Sequence, residues 1–398
     1  MSRIPLIFLV AGEASGDRLG ADLMVSLNRI QDVRFAGIGG EAMAAQGLQS
    51  LFPMQDLSVI GVWGILRNFF HLWGRLGFTV KTIKTLKPDV VITIDAPEFS
   101  FRVMKRLHKL AQRPRLIHYV APTVWAWRPG RAYMISQFLD QLLCLYPFEP
   151  PYFEKHGLKT TFVGHPVAAS LPVIASGAEQ SRKTINKRDP NLLCVLPGSR
   201  RSEVETLLPI FKQTVEFLKK DIPELKVVIP TVPSVELLVR QAVRDWSIDV
   251  EIVLGEKARD TAFQKASAAL AASGTVALQL SAAGLPFIIA YKLNKINEWI
   301  AKALIKTPWA CMVNILLAFQ KLGPNFVLTR QAKHLVPRPW IPEFIQEECT
   351  PERLAPALLT LLKDESVRTR QVAGMKEAIS LLRAPPDTAA KIVLGKIA

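Results

Sequence analysis

The feature that most constrains this chain is the regular alternation of short apolar runs with longer stretches of helical period. In the first half the runs are Leu6–Ala11, Arg34–Ile38, Val90–Ile94, Leu116–Val120, Gln141–Leu145 and Thr161–Val163. Helical patterns separate them at Leu19–Asn28, Phe99–Ala111 and Pro151–His156. The second half repeats the scheme, with strands predicted at Leu192–Leu196, Lys226–Ile229, Glu251–Val253, Ala268–Ala271 and Phe287–Ala290. Its helices are predicted at Glu203–Lys219, Val235–Asp245, Asp260–Lys265 and Val276–Gly284. Such alternation calls for parallel sheets covered by helices on both faces.

A chain of 398 residues is too long for one ordinary domain. The stretch Pro166–Asn191 is rich in small and polar residues and reads as a linker. The expected fold class is α/β, with two facing Rossmann-like domains and an interdomain cleft. The segments divide as 1–168, a linker at 169–190, 191–350, and C-terminal helices over 351–398 that pack back across the domains or onto a partner. Ligands of doubly wound sheets sit beyond the carboxyl ends of the strands.

Ala266–Tyr291 runs 26 residues without a charge, long enough to suggest a membrane span. Ser273-Gly274-Thr275 and Gly284-Leu285-Pro286 punctuate it, so it reads as strand, loop, helix and strand. The apolar N-terminal run leads straight into a loop, which reads as a core strand rather than a signal peptide. Four scattered cysteines with no C-x-x-C pair argue against a zinc site and suit a reducing compartment. No His or carboxylate cluster has metal-ligand spacing, so neither metal nor cofactor is expected. The formal charge of +16 suits an anionic partner or simple solubility. No nucleic-acid motif accompanies it, so a nucleic-acid partner is not expected.

Several loops carry candidate chemistry. "LVAGEASGDRLG" has the strand–loop–helix layout of a phosphate seat, yet Glu13 and Asp17 would repel phosphate. "LPGSRRSEV" is the cleaner anion site: Gly198 permits close approach, the helix start offers N–H groups, and Arg200 and Arg201 add charge. Ser273, Gly274 and Thr275 form a second, weaker loop-to-helix junction, with Gln279 one turn further in. Asp95 ends a buried strand in "ITIDAPEF" and is either a general base or a turn cap before Pro97. "HYVAPTVWAWRPGRA" gathers Trp125, Trp127, Arg128 and Arg131, while His118 alone reads as a core residue. Val59–Lys87 holds five Lys or Arg and no acid, with Trp63, Leu66, Phe70 and Trp73 at helical spacing. It reads as an interfacial patch on an anionic membrane, or else as an aromatic core face. Its glycines, Gly74 and Gly77 among them, argue against one continuous helix.

Together "AGEASGD", "GIGGEAM", "IDAPEF", "APTVWAWR", "VGHPV", "LPGSRRSEV", "ASGTVALQL" and "PEFIQEECTPE", in this order, resemble the lipid-A-disaccharide synthase family nearly end to end. The resemblance implies the GT-B glycosyltransferase architecture. It also implies transfer of a sugar from UDP-2,3-diacylglucosamine to the 6-hydroxyl of 2,3-diacylglucosamine 1-phosphate (lipid X), with anomeric inversion. Residues 1–168 would then bind the acceptor and contact the membrane, and residues 191–350 would bind the UDP-sugar.

The resemblance makes Asp95 the expected base, with Glu13 second. It assigns Gly198, Ser199 and Arg200 to the diphosphate, and Ser273, Gly274 and Thr275 to the nucleotide. Gln279 stands where the family usually has a glutamate near the ribose. Asn314 falls in the same donor set, although Gln320–Pro339 after it looks like an insertion. Ser15, Gly16 and Asp17 are expected in the acceptor loop, with a cap on the helix Leu19–Asn28 as the alternative role of Asp17. Trp63, Leu66, Arg67, Phe70 and Trp73 are expected to touch the anionic inner face of the inner membrane. A peripheral cytoplasmic location and a homodimer complete what the resemblance implies. The rivals are another glycosyltransferase or UDP-sugar epimerase on the same fold, and a basic nucleic-acid-binding protein.

Overall fold

A computed structural model describes residues 3–57, 69–169, 188–272, 274–293, 307–323, 328, 335–336 and 339–395. The chain divides into two compact units: Met1–Pro166 with Leu382–Ala398, and Val167–Leu381.

Unit 1 is a six-stranded sheet of β1 (Leu6–Ala11), β2 (Arg34–Ile38), β3 (Val90–Ile94), β4 (Arg115–Tyr119), β5 (Gln141–Cys144) and β6 (Thr160–Phe162). Its order is β2-β1-β3-β4-β5-β6, and every pair is parallel. The connecting helices are α1 (Ala14–Ile30), α2 (Glu41–Ala44), α3 (Phe69–Leu86), α4 (Pro97–His108), α5 (Gly130–Ser136) and α6 (Pro150–Glu154), and α7 (Pro166–Ala169) begins at the boundary and belongs mostly to unit 2. β1 and β3 are buried along their whole length, as central parallel strands must be when helices cover both faces. α1 turns Leu19, Leu23 and Leu27 inward, and Gly16 and Gly20 let its backbone approach β3. A Cβ on Gly20 would stand 2.6 Å from the Met43 sulfur and 3.1 Å from Ile94 Cδ1.

Unit 2 has β7 (Asp189–Leu196), β8 (Lys226–Thr231), β9 (Val250–Leu254), β10 (Ala266–Ala271), β11 (Phe287–Tyr291) and β12 (Glu343–Ile345), ordered β12-β11-β10-β7-β8-β9 and again all parallel. Its helices are α8 (Arg201–Asp221), α9 (Glu236–Ala242), α10 (Glu256–Lys265), α11 (Val276–Ala282), α12 (Met312–Leu322), α13 (Pro351–Lys363) and α14 (Glu365–Ser380). α15 (Thr388–Val393) closes the list in unit 1, lying against α1. Arg29 pairs there with Asp387 at 3.1 Å, and Arg115 donates to the Ile392 carbonyl at 2.8 Å.

Within 351–398, α13 and α14 belong to unit 2, and Leu382 onward, with α15, belongs to unit 1. Some expectations need correction. Asp189 and Pro190, expected in the linker, begin β7, while 170–187 lie outside the described residues. Gly74 and Gly77 do not interrupt α3, which runs unbroken from Phe69 to Leu86. The uncharged stretch Ala266–Tyr291 resolves, as its punctuation predicted, into β10, α11 and β11. Among the described residues no helix is long and apolar enough to cross a membrane.

Candidate active site

Both strand orders reverse direction at one point, and a doubly wound sheet leaves its crevice there. In unit 1 the reversal lies between β1 and β3, where Ala11 is in register with Ile94. The loops leaving these strands carry Glu13 and Asp95. They are in close contact: a Cβ on Gly12 would lie 2.6 Å from the Ala96 Cβ.

Asp95 and Ala96 both adopt left-handed backbone, at φ 52° and 46°. For residues with a Cβ this costs about 1–3 kcal/mol each and persists only where the surroundings enforce it. Three hydrogen bonds do so. Asp95 N donates to the Tyr119 carbonyl (3.0 Å), Ser100 Oγ to the Asp95 carbonyl (2.7 Å), and Ala96 N to Asp95 Oδ1 (2.9 Å). Asp95 Oδ2 accepts no hydrogen bond among the described residues, so a lone pair stays available. Burial raises the pKa of this carboxyl, and the Ala96 N–H offsets part of that rise. A half-buried carboxylate of raised basicity at a strand end has the properties of a general base.

Glu13 is exposed at the N-cap position of α1. Ser15, Gly16 and Asp17, expected in the acceptor loop, lie in the first turns of α1. Ser15 is exposed there, whereas Gly16 is buried, with its missing Cβ 3.3 Å from the Ile94 carbonyl. Asp17 is only 5% exposed and accepts from Gly40 N (2.7 Å), Ala42 N (2.9 Å) and Met43 N (3.1 Å). It caps α2 rather than its own helix, tying "AGEASGD" to "GIGGEAM". A carboxylate so occupied is not offered to a sugar.

The loop after β4 adds aromatic and cationic groups. Val120, at φ 81°, turns the chain sharply. Arg128 and Arg131 lie 4.2 Å and 5.7 Å from the Trp127 ring centre. Arg131 also pairs with Glu98 of α4. Trp125 donates from its indole to Glu149 (3.2 Å), a carboxylate 1% exposed and pushed up to about 8 by burial. His118 is a core residue as expected, bonded to Thr93 Oγ1 at 2.7 Å and lowered to about 3 by burial. Glu98 and Glu149 escaped the sequence reading. The only signal for Glu149 was one charge inside "LYPFEPPYF".

In unit 2 the reversal lies between β7 and β10, where Ala271 is in register with Leu196. Gly198, at φ 111°, turns the chain into α8. The N–H groups expected to be free there are partly taken. Glu203 Oε2 accepts from Ser199 N (3.1 Å) and Arg200 N (3.3 Å). Arg200 lies 3.4 Å from the same carboxylate and is otherwise exposed. The loop can hold an anion, and an internal carboxylate now holds its place. Tyr291, at the end of β11, is near enough to Glu203 for the negative charge to raise its pKa, after burial.

At the neighbouring junction Gly274 and Thr275 are exposed at the start of α11, and Gln279 is half-buried within it. Ser273 lies outside the described residues. Asn314 is a correction. It is 1% exposed, donates to the Ile341 carbonyl (2.8 Å) and Glu343 Oε1 (2.7 Å), and accepts from Ile341 N (2.9 Å). Its amide ties α12 to the approach to β12 and is not offered to a nucleotide. Among the described residues no group of three His, Cys, Asp or Glu could hold a metal ion.

Of the membrane patch, Trp63, Leu66 and Arg67 lie outside the described residues, and Phe70 belongs to the first turn of α3. Trp73 is 51% exposed, with Arg106 4.7 Å from its ring centre.

Comparison with known proteins joins these loops to one family. The family model described as lipid-A-disaccharide synthetase matches residues 7–396. The chain belongs to the lipid-A-disaccharide synthase family. A lipid-A-disaccharide synthase of Rhodospirillum centenum is 46% identical over 398 residues, covering 98% of this chain and 94% of that protein. One of Paramagnetospirillum magneticum is 42% identical over 379 residues, covering 95% and 93%. Membership makes the chain a glycosyltransferase of lipid A disaccharide synthesis. The likeness to solved structures supports the GT-B fold. The S. aureus MnaA–UDP co-structure has a TM-score of 0.61 at 10% identity, covering 99% of this chain and 96% of that one. The glycotransferase of kitacinnamycin has a TM-score of 0.60 at 16% identity, covering both chains fully at 100%.

Proposed function

We propose that this chain joins UDP-2,3-diacylglucosamine to lipid X, giving the β-1,6-linked lipid A disaccharide 1-phosphate and UDP. The observation that carries this reading is the family match over residues 7–396. The mechanism assigned is a single inverting displacement without a metal ion. Asp95 takes the proton of the acceptor 6-hydroxyl through its open Oδ2, and the acceptor oxygen bonds to the anomeric carbon. The bond from that carbon to the diphosphate oxygen breaks, and its electron pair leaves with UDP.

The left-handed strand end and raised basicity of Asp95 support its role as base. Glu13, across the Gly12–Ala96 contact, orients the acceptor. Gly198, Ser199 and Arg200 receive the diphosphate by displacing Glu203. Ser273, Gly274, Thr275 and Gln279 hold the nucleoside. The UDP named with the MnaA structure supports a UDP ligand for a chain of this fold.

The enzyme acts as a peripheral protein on the inner face of the inner membrane, held by the patch from Trp63 to Trp73, and as a homodimer. The exposure of Trp73 supports the attachment.

The decisive experiment supplies purified protein with the diacylated donor and lipid X and measures UDP and disaccharide by mass spectrometry. Both products are expected with acylated substrates. UDP release with a non-acylated acceptor alone would overturn the lipid assignment. Sedimentation analysis checks the dimer.

A further inference from the structure

Unit 1 holds an open groove of about 480 Å³ between α3 and α4 that the proposed reaction does not use. Its rim carries Lys81 and Lys84 from α3, and Arg106 and Lys109 at the end of α4. Val80 and Leu110 supply apolar floor, and Gly77 leaves open space where a side chain would stand. No acid lines the groove, none of its four cations is ion-paired among the described residues, and Arg106 rests against the Trp73 ring. The cations stand in pairs three residues apart, the spacing at which like charges on a helix repel. An anion between the two helices relieves that repulsion.

The groove is remote from the reacting groups. α3 ends where the chain enters β3, and α4 ends where it heads for β4, so Lys84 and Lys109 lie toward the amino edge of the sheet. Asp95 leaves the carboxyl edge, about 16 Å away along the five residues of β3. A phosphate held here is therefore not the one on a sugar at Asp95. α3 also exposes Trp73 (51%) on the groove side, beside Arg106, and Phe78 (47%) further round its surface. Large apolar groups beside cations that lack an acidic partner match a headgroup layer, where phosphates lie next to acyl chains.

We infer that the α3–α4 groove binds the phosphate headgroup of an anionic phospholipid while α3 lies along the bilayer surface. This deepens the membrane attachment proposed above and rests on it. The cations hold the lipid phosphate, the floor of Val80 and Leu110 covers its glycerol and first methylenes, and Trp73 and Phe78 enter the boundary layer.

The test is flotation of the full chain with vesicles of phosphatidylcholine alone or with added phosphatidylglycerol. The wild-type chain is expected to float with the anionic vesicles and to be released by salt. Combined Lys81→Gln, Lys84→Gln, Arg106→Gln and Lys109→Gln should weaken that partition by roughly a hundredfold or more, with melting unchanged. Should the fourfold variant fail to fold, Lys84→Gln with Lys109→Gln, both at exposed positions, takes its place, with a loss of about tenfold or more expected. A control removes equal charge from unit 2 at Lys220, Lys226, Lys257 and Lys265. An equal loss in that control would mean that net charge alone binds, and would overturn the groove. Unchanged flotation of the groove variant would also overturn it while leaving membrane attachment standing. No flotation of the wild type with either vesicle would sink the attachment and the groove together. Glycerol 3-phosphate is the soluble probe: if it binds as tightly as the vesicles, the ligand is a free phosphate and the bilayer assignment is wrong.

Discussion

Gly12 and Ala96 approach so closely that a Cβ on the glycine would fall 2.6 Å from the alanine Cβ. This contact locks the loop bearing Glu13 to the loop bearing Asp95. Gly12→Ala must therefore move one of them by several tenths of an ångström or more. Small displacements at a reacting centre cost up to about a hundredfold in rate. We expect kcat to fall by about tenfold to a hundredfold with KM nearly unchanged. Adding Ala96→Gly should restore much of the loss, since it removes the opposing methyl and suits a φ of 46°. Steady-state kinetics of the single and double variants check this; no recovery in the double variant would place the damage elsewhere.

Asp95 is costly to the fold and useful to the reaction. Its folded pKa lies above the unfolded value, burial being the main cause. The folded state therefore keeps the proton more tightly, and stability falls as pH rises from the unfolded pKa through the folded one. At neutral pH the buried carboxylate is a burden that Asp95→Asn removes. We expect turnover to drop by about a hundredfold to ten-thousandfold, UDP binding to persist, and the melting temperature at pH 7 to hold or rise. The gain should vanish in acid, below the unfolded pKa. Calorimetry across pH and a UDP titration check both halves, and near-normal turnover would remove Asp95 from the role of base.

Glu203 occupies the N–H groups at Ser199 and Arg200 that the proposed reaction gives to a diphosphate. Two anions cannot share them, so UDP must displace the carboxylate. Glu203→Gln removes a like charge while retaining an acceptor for the helix start. UDP should bind about threefold to tenfold more tightly, and α8 should lose about 0.5–1 kcal/mol of capping. Isothermal titration and melting curves measure these. Weaker UDP binding would instead mean that Glu203 shapes the loop for the nucleotide.

The sheets were legible because central parallel strands are buried on both faces and read as apolar runs. β1 and β3 fall where the runs predicted them, and so does the edge strand β2. β12 was missed because an edge strand of three residues beside Pro342 carries no periodic signal. The two switch points were also within reach, since alternating strands and helices bring Asp95 and Gly198 to strand ends. What the sequence concealed was how polar groups are spent. Asp17 and Asn314 have the chemistry of ligand-binding residues, and only tertiary contacts reveal that backbone groups from Gly40–Met43 and Ile341 consume them. The start of α1 was hidden for a similar reason: Ser15 and Gly16 are poor helix formers, and packing against β3 overrides that propensity.

Glu149 gives the molecule a pH response distinct from that of Asp95. Burial pushes its carboxyl up to about 8, while the Trp125 indole and the Tyr146 N–H oppose the shift less strongly. Between the unfolded value near 4.5 and about 8 the folded chain keeps this proton and the unfolded chain does not. Stability should therefore decline with rising pH across that window, by at most about 1.4 kcal/mol per pH unit from this group, and level off above it. Glu149→Gln cannot ionise and should flatten the decline. Near pH 5 it should be no more stable than the wild type, because one acceptor becomes an amide donor. At pH 9 it should be the more stable of the two. Denaturant unfolding at several pH values measures both slopes, and parallel slopes would mean that Glu149 is already ionised in the folded chain.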